Sequence, residues 1–299
     1  MLRTYEGPAR VIVGYDGSAQ ADAALRYGVV EAIARQADLV LVNAVDDLVL
    51  SSAWGVVFDV DTIREAARQL LRSAVDRAIE FGMPLERIRH DVELGNPAAV
   101  LARHSEEALL IVVGRRSVAE GERVYVGSTA VGVASTARCP VLVVDTEHLE
   151  RAEPRSWIGV GVNTAAKGEA ALEWALRECR AHGGAVRVIS VAKAATGRWF
   201  GGGGAPPELR EELLRVTRDR VAGMIAPLAA AYPDIPIEID VSYGNPLDVV
   251  VAKTADLDLL VVGVQPTFPS YTIGGTTRGL MAHAHCPVVT ILARDGHSS

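Results

Sequence analysis

The sequence predicts an α/β protein built twice, each copy a parallel sheet covered by helices on both faces. Two observations carry this. Gly95-Asn96-Pro97 recurs as Gly244-Asn245-Pro246, and Cys139-Pro140-Val141 recurs as Cys286-Pro287-Val288, a period of 147 to 149 residues. That period is the size of a domain, far longer than a solenoid repeat. Within each copy, short and almost uninterrupted apolar runs alternate with segments of helical periodicity. This is the signature of buried parallel strands joined by crossover helices.

The elements of the first copy follow in order. Ala9 to Gly14 is a β-branched run that stops at Gly14-Tyr15-Asp16-Gly17-Ser18, a buried strand entering a turn, with Ser18 as helix N-cap. Residues 19–36 form a helix with Ala23, Ala24, Val29, Val30 and Ile33 inward. Leu39 to Val45 is the second strand, and residues 46–59 a loop without periodicity. Residues 61–81 are a long amphipathic helix with Ile63, Leu70, Leu71, Val75 and Ile79 inward. Ile88 to Leu94 alternates like an edge strand, and residues 97–107 form a helix with Pro97 in its first turn. Leu109 to Val113 is a central strand, 115–126 a polar loop, 128–137 a helix and Val141 to Val144 the last strand.

The second copy repeats this with strands 157–162, 185–191, 235–242, 259–262 and 288–292 and helices 167–182, 207–231 and 246–255. A further helix opens at Gly274-Gly275-Thr276-Thr277. The charged stretch around Pro154 reads as the linker, which puts the domains at 1–147 and 155–299 with residues 148–154 between them.

Composition narrows the function. With 49% apolar and 22% charged residues the balance is that of an ordinary globular protein. A formal net charge of −7 argues against a nucleic-acid partner held by bulk electrostatics. The three cysteines form no CxxC pair and read as core residues. No apolar run reaches the ~20 residues of a membrane span, and Met1 to Pro8 lacks a signal-peptide core. The expectation is a soluble, cytoplasmic protein. A metal site is not expected. His283 and His285 are two apart on a helix and point to different faces, while His90 on an edge strand and His104 on an exposed helix face lack ligand-spaced partners.

In an open parallel sheet, ligands bind beyond the C-terminal ends of the strands, where the strand order reverses. Three features of the first copy converge there: Gly14 and Asp16 past the first strand, Asn43-Ala44-Val45 at the end of the second, and the stretch from Gly114 to Gly127-Ser128-Thr129. Glycines let backbone approach a phosphate, and a helix N-terminus favours an anion. Ser128 and Thr129 add hydroxyls, and Arg115, Arg116 and Arg123 add positive charge. A carboxylate at Asp16 can accept hydrogen bonds from a ribose hydroxyl or an adenine amine.

These residues resemble the universal stress protein family, in its tandem-domain form. The resemblance spans nearly the entire chain. It rests on Val13-Gly14-Tyr15-Asp16-Gly17-Ser18, the Gly-Asn-Pro element, the terminal Pro-Val-Leu-Val-Val and a Gly-x2-Gly-x9-Gly-(Ser/Thr) motif matched by Gly114, Gly127 and Ser128. Ser117 stands where that motif has its second glycine. The resemblance implies two flavodoxin-like (adenine-nucleotide α-hydrolase-like) domains, five-stranded with order 3-2-1-4-5, and a homodimer. It also implies binding of ATP, with Mg²⁺, by Gly14, Asp16, Ala44, Gly114, Arg115, Arg116, Ser117, Arg123, Gly127, Ser128 and Thr129. The second copy is a weaker candidate, at Asn163, Gly263, Gly274, Gly275 and Thr276. Asn163 replaces the aspartate, and its Gly263 to Gly274 loop is two residues shorter, holds Pro266 and Pro269 and lacks arginine. The function implied is nucleotide-dependent regulation in a stress response, without catalytic residues. There is no Walker lysine, no His-x-Gly-His and no Ser-Gly-Gly-x-Asp-Ser. An interaction module of the same fold without nucleotide, and a slow ATPase, remain as alternatives.

Overall fold

Apart from the edge strand Ile88–Leu94, the strands of the first domain are short and largely apolar, and the fold follows from covering both faces of their sheet. The computed structural model describes residues 9–45, 60–115, 126–151, 156–163, 165–193, 206–265 and 273–293. The first domain comprises β1 (Arg10–Gly14), α1 (Ala19–Ala34), β2 (Asp38–Val45), α2 (Val60–Glu80), β3 (Ile88–Leu94), α3 (Pro97–His104), β4 (Leu110–Gly114), α4 (Ser128–Thr136) and β5 (Val141–Val144). Its strands run in the order β3-β2-β1-β4-β5, all neighbours parallel. The second domain comprises β6 (Trp157–Gly161), α5 (Ala165–His182), β7 (Ala185–Ala192), α6 (Pro207–Ala231), β8 (Ile237–Tyr243), α7 (Pro246–Lys253), β9 (Leu259–Val264), α8 (Gly275–His283) and β10 (Val288–Leu292). It has the corresponding order β8-β7-β6-β9-β10, again parallel. The expected 3-2-1-4-5 topology is therefore present twice.

The core lies on β1, β2, β4 and β5, where Val11, Val13, Leu39, Leu41, Ile111 and Val112 are fully buried. Among the described residues β3 pairs with β2 alone and is largely exposed, as its alternation predicts.

The buried stripes of the helices differ from the expected ones. In α2 the face is Ala67, Leu71, Ala74 and Ala78, whereas Ile79 is 41% exposed. In α1, Ala21, Leu25, Tyr27 and Ala32 are buried with Ala23, Ala24 and Val29, while Val30 and Ile33 face outward. Small residues win these positions because a helix lying on a parallel sheet approaches it closely, and large β-branched side chains fit better at the margin.

The repeated Gly-Asn-Pro element is a helix cap. Gly95 and Gly244 adopt φ of 132° and 151°, a region open to glycine. Asn96 Oδ1 accepts from the N–H groups of Ala98 and Ala99 at 3.1 and 3.2 Å, and Asn245 Oδ1 accepts from Leu247 N–H at 3.0 Å. Proline then sits in the first turn, where it gives up no intrahelical bond.

Both expected helices shorten at their far ends into 3₁₀ turns, Ser105–Glu107 and Thr254–Asp256. There a hydroxyl competes for the backbone. Ser105 Oγ accepts from Arg138 N–H and Thr254 Oγ1 from His285 N–H, each at 2.9 Å, which ties the turn to the Cys-Pro segment. Asn96→Ala and Asn245→Ala should each cost about 1 kcal/mol, read as a lower urea midpoint with an unchanged m-value.

Candidate functional site

The site of the first domain is built by three strand ends. β1 stops at Gly14, but Tyr15 N–H still donates to Val42 carbonyl at 2.9 Å. Asn43, nearly buried, donates from Nδ2 to the Tyr15 carbonyl at 2.8 Å. The turn after β1 is thus pinned to β2 by main chain and side chain together. Asp16 follows, exposed, with Oδ1 accepting from Ser18 N–H at 3.0 Å. Ser18 caps α1 as expected, its Oγ accepting from Ala21 N–H at 3.1 Å. Asp16 therefore braces the turn while the helix is capped by its neighbour.

Beneath this turn the Tyr15 hydroxyl donates to Asp22 Oδ1 at 2.7 Å, and Arg77 of α2 pairs with the same carboxylate. Burial and the hydrogen bond to Asp22 push the Tyr15 pKa up to about 12, so the phenol keeps its proton.

On the far side, β4 ends at Gly114. A Cβ there would lie 2.7 Å from the backbone carbon and oxygen of Gln20, so only glycine lets the first turn of α1 rest on this strand end. Gly114 is thereby required by packing, whatever the site binds. Arg115 turns inward: it is 7% exposed, and its Nε and Nη2 donate to Asp145 Oδ2 at 2.6 and 2.5 Å. Asp145 is itself buried, and its Oδ1 accepts from Gln20 Nε2 at 3.2 Å, Thr146 Oγ1 at 3.0 Å and Glu147 N–H at 3.3 Å. Burial works to raise the Asp145 pKa, but Arg115, Gln20 and the Glu147 amide outweigh it and hold the carboxyl below its ordinary value.

α4 opens on Gly127, at φ −63° and ψ 149°, with no side-chain cap. The first intrahelical bond runs from Val131 N–H to the Gly127 carbonyl at 3.1 Å. The N–H groups of the first turn therefore lack intrahelical partners and carry the positive end of the helix dipole.

These pieces enclose a cleft of about 580 Å³, within the range of small-molecule sites. Gly14, Asp16, Ala44, Gly114, Gly127, Ser128 and Thr129 all line it. Arg115 is not among its lining residues, because its guanidinium is committed to Asp145. Arg116, Ser117 and Arg123 lie outside the described residues. Asn43, at the expected end of the second strand, and Tyr15 line it too, and the structure adds Gln20, Asp145 and Thr146. One signal for them was present in the repeat. Counted from the matched glycines and Cys-Pro pairs, Gln20, Arg115 and Asp145 correspond to Lys167, Val264 and Leu292. All three partners change together.

The second domain keeps the scaffold and loses this chemistry. Val162 N–H donates to the Ile189 carbonyl at 2.9 Å, and Ser190 Oγ donates to the Val162 carbonyl at 3.2 Å, the counterpart of the Asn43 contact. Asn163 is exposed at the place of Asp16. Gly263 lies within β9. Gly274 precedes α8 without a side-chain cap, with Gly275 and Thr276 in the exposed first turn.

Comparison with known proteins accords with this architecture. The universal stress protein family model matches residues 8–145 and again 156–291. The chain belongs to the universal stress protein family. It is 33% identical over 201 residues, 67% of each chain, to universal stress protein Rv2624c of Mycobacterium tuberculosis. It is 24% identical to a universal stress protein of Mycolicibacterium smegmatis over 95% of this chain and 97% of that one. The crystal structure of a universal stress protein from Archaeoglobus fulgidus shares the fold, with a TM-score of 0.67 at 16% identity over 95% of this chain and 98% of that chain.

Asp145→Leu removes the carboxylate that pairs with the buried Arg115 guanidinium and should cost about 3–5 kcal/mol, measured by urea unfolding. The double variant Arg115→Val, Asp145→Leu, which copies the second domain, should recover most of that loss. Because the folded pKa of Asp145 is depressed, its contribution is complete at neutral pH. It falls away as pH drops below the ordinary carboxylate value of about 4. The wild type should therefore lose more stability between neutral pH and pH 3 than the double variant.

Proposed function

We propose that the cleft of the first domain binds an adenine nucleotide, ATP with Mg²⁺, and that the protein is a nucleotide-dependent regulator in a stress response. The observation that carries this is the pairing of opposites across one cleft. An exposed carboxylate, Asp16, stands at the end of β1, and an uncapped helix N-terminus with two hydroxyls, at Ser128 and Thr129, stands beyond β4. A carboxylate suits ribose or adenine donors; free N–H groups and a helix dipole suit phosphate oxygens. No lysine, arginine or histidine is among the described lining residues. Mg²⁺ would therefore share in neutralising the phosphates, held mostly by them and by water. Arg116 and Arg123 are the sequence's other source of positive charge.

The role is read as binding, with slow ATP hydrolysis as the alternative, because the lining holds the carboxylates Asp16, Asp145 and Glu147 but no described histidine or lysine. The second domain, with Asn163, Val264 and Leu292 at the corresponding places, is the weaker site. Cytoplasmic location, a homodimer and domain limits of 1–147 and 155–299 complete the reading. None of the described helices is long and apolar enough to cross a membrane.

Asp16→Ala should weaken ATP binding by about 10- to 100-fold, the effect of one hydrogen-bonding charge. Gly127→Glu should abolish it by placing a negative side chain at the helix N-terminus. Asn163→Ala should change it little. Titration calorimetry with Mg-ATP on folded variants checks all three. Full affinity in both first-domain variants would overturn the assignment.

A further inference from the structure

Edge strand β3 and the end of α3 carry a cluster outside the cleft. Asp91 and Glu93 are two apart on β3 and share a face, and His104 is the last residue of α3. His104 Nε2 lies 2.6 Å from Glu93 Oε1, and ligand atoms of Asp91, Glu93 and His104 all lie within 4.8 Å of one another. Two ligands on one tetrahedral ion stand about 3.4 Å apart, so a side-chain rotation closes the set.

The second domain shows what its counterpart of this place holds. By strand register Asp91 corresponds to Asp240 and Glu93 to Ser242, and the last residue of the following helix is Lys253. There Lys253 Nζ sits 2.5 Å from Asp240 Oδ2. A cation thus occupies this position in the second domain, between a strand carboxylate and a helix C-terminus that itself favours positive charge. In the first domain the lysine is replaced by an imidazole and the serine by a second carboxylate. Asp91 has no ion-pair partner among the described residues. Arg103 pairs with Glu93 through Oε2, while Oε1 faces His104. Arg103 can therefore stay in place and orient the carboxylate while Oε1 turns to an ion.

We propose that Asp91, Glu93 and His104 form a binding site for a first-row divalent metal ion of the Zn²⁺ class, in the place where the second domain carries its own ammonium group. Two carboxylate oxygens and one imidazole nitrogen suit Zn²⁺ and Co²⁺ better than the oxygen-seeking Mg²⁺ and Ca²⁺. Bound there, the ion joins edge strand β3 to α3 and stabilises the first domain. This site is independent of the nucleotide reading.

The test uses the full chain stripped with a chelator, titrated with Zn²⁺ by calorimetry, with Co²⁺ as a visible probe. The expected result is one ion bound through this cluster, with a rise in the unfolding temperature on Zn²⁺ addition. His104→Lys rebuilds the second domain's pair and so keeps the fold. It should lower Zn²⁺ affinity by at least about tenfold and remove the Co²⁺ spectrum, and Asp91→Asn should weaken binding by a similar factor. Absence of Zn²⁺ binding tighter than about 100 μM in the wild type would overturn the proposal. So would unchanged affinity in both variants, which would place the ion at other histidines.

Discussion

The parallel register of β1 between β2 and β4 is the constraint on which the rest of the first domain depends. Gly14 pairs with Val42, and Val13 pairs with Val112, so the three strands end within about three residues of one level. Parallel strands must each be followed by a crossover, so three chain turns leave the sheet at the same edge. Asp16 stands just past the end of β1, and Ala44 and Gly114 stand at the ends of β2 and β4. The cleft is a consequence of register, and side-chain chemistry is laid upon it. The same register holds in the second domain, where Gly161 pairs with Ile189 and with Val262. Its strand ends therefore coincide as well, even though its polar residues differ.

Comparing the two copies separates scaffold from chemistry. The Asn caps, the positive-φ glycines before them and the hydroxyl that receives the amide just before the Cys-Pro pair occur in both. They satisfy backbone groups at helix ends. Among what changes are polar groups at or just past strand ends: Asp16 to Asn163, Arg115 to Val264, Asp145 to Leu292. A buried ion pair contributes little net stability over an apolar pair of similar size. Its presence in one domain and its joint loss in the other fit a role in shaping the cleft better than a need of the fold.

Much of the lining of the candidate cleft is legible in the sequence. Gly14, Asp16, Ala44, Gly114, Gly127, Ser128 and Thr129 were identified from strand ends and a helix start, and they line one cleft. Arg115 was grouped with Arg116 and Arg123 because all three share a polar stretch. The structure turns it into the protein because Asp145, from the end of the neighbouring strand β5, offers a carboxylate where water is excluded. His104 was read as lacking a ligand-spaced partner, since no regular spacing along one element relates it to Asp91 and Glu93. The strand and the helix meet only because Gly95 reverses the chain between them.

The sequence by itself determined the doubled parallel α/β architecture, the order of elements and the capped helix starts. Those features follow from local periodicity and from backbone groups that must find partners within a few residues. Tertiary structure alone decided which helix faces are buried, that Arg115 pairs with Asp145, and that Asp91, Glu93 and His104 stand together. These depend on contacts between elements, where close approach selects alanine over isoleucine and burial makes a charge seek its partner. Such contacts leave no periodic trace along a chain.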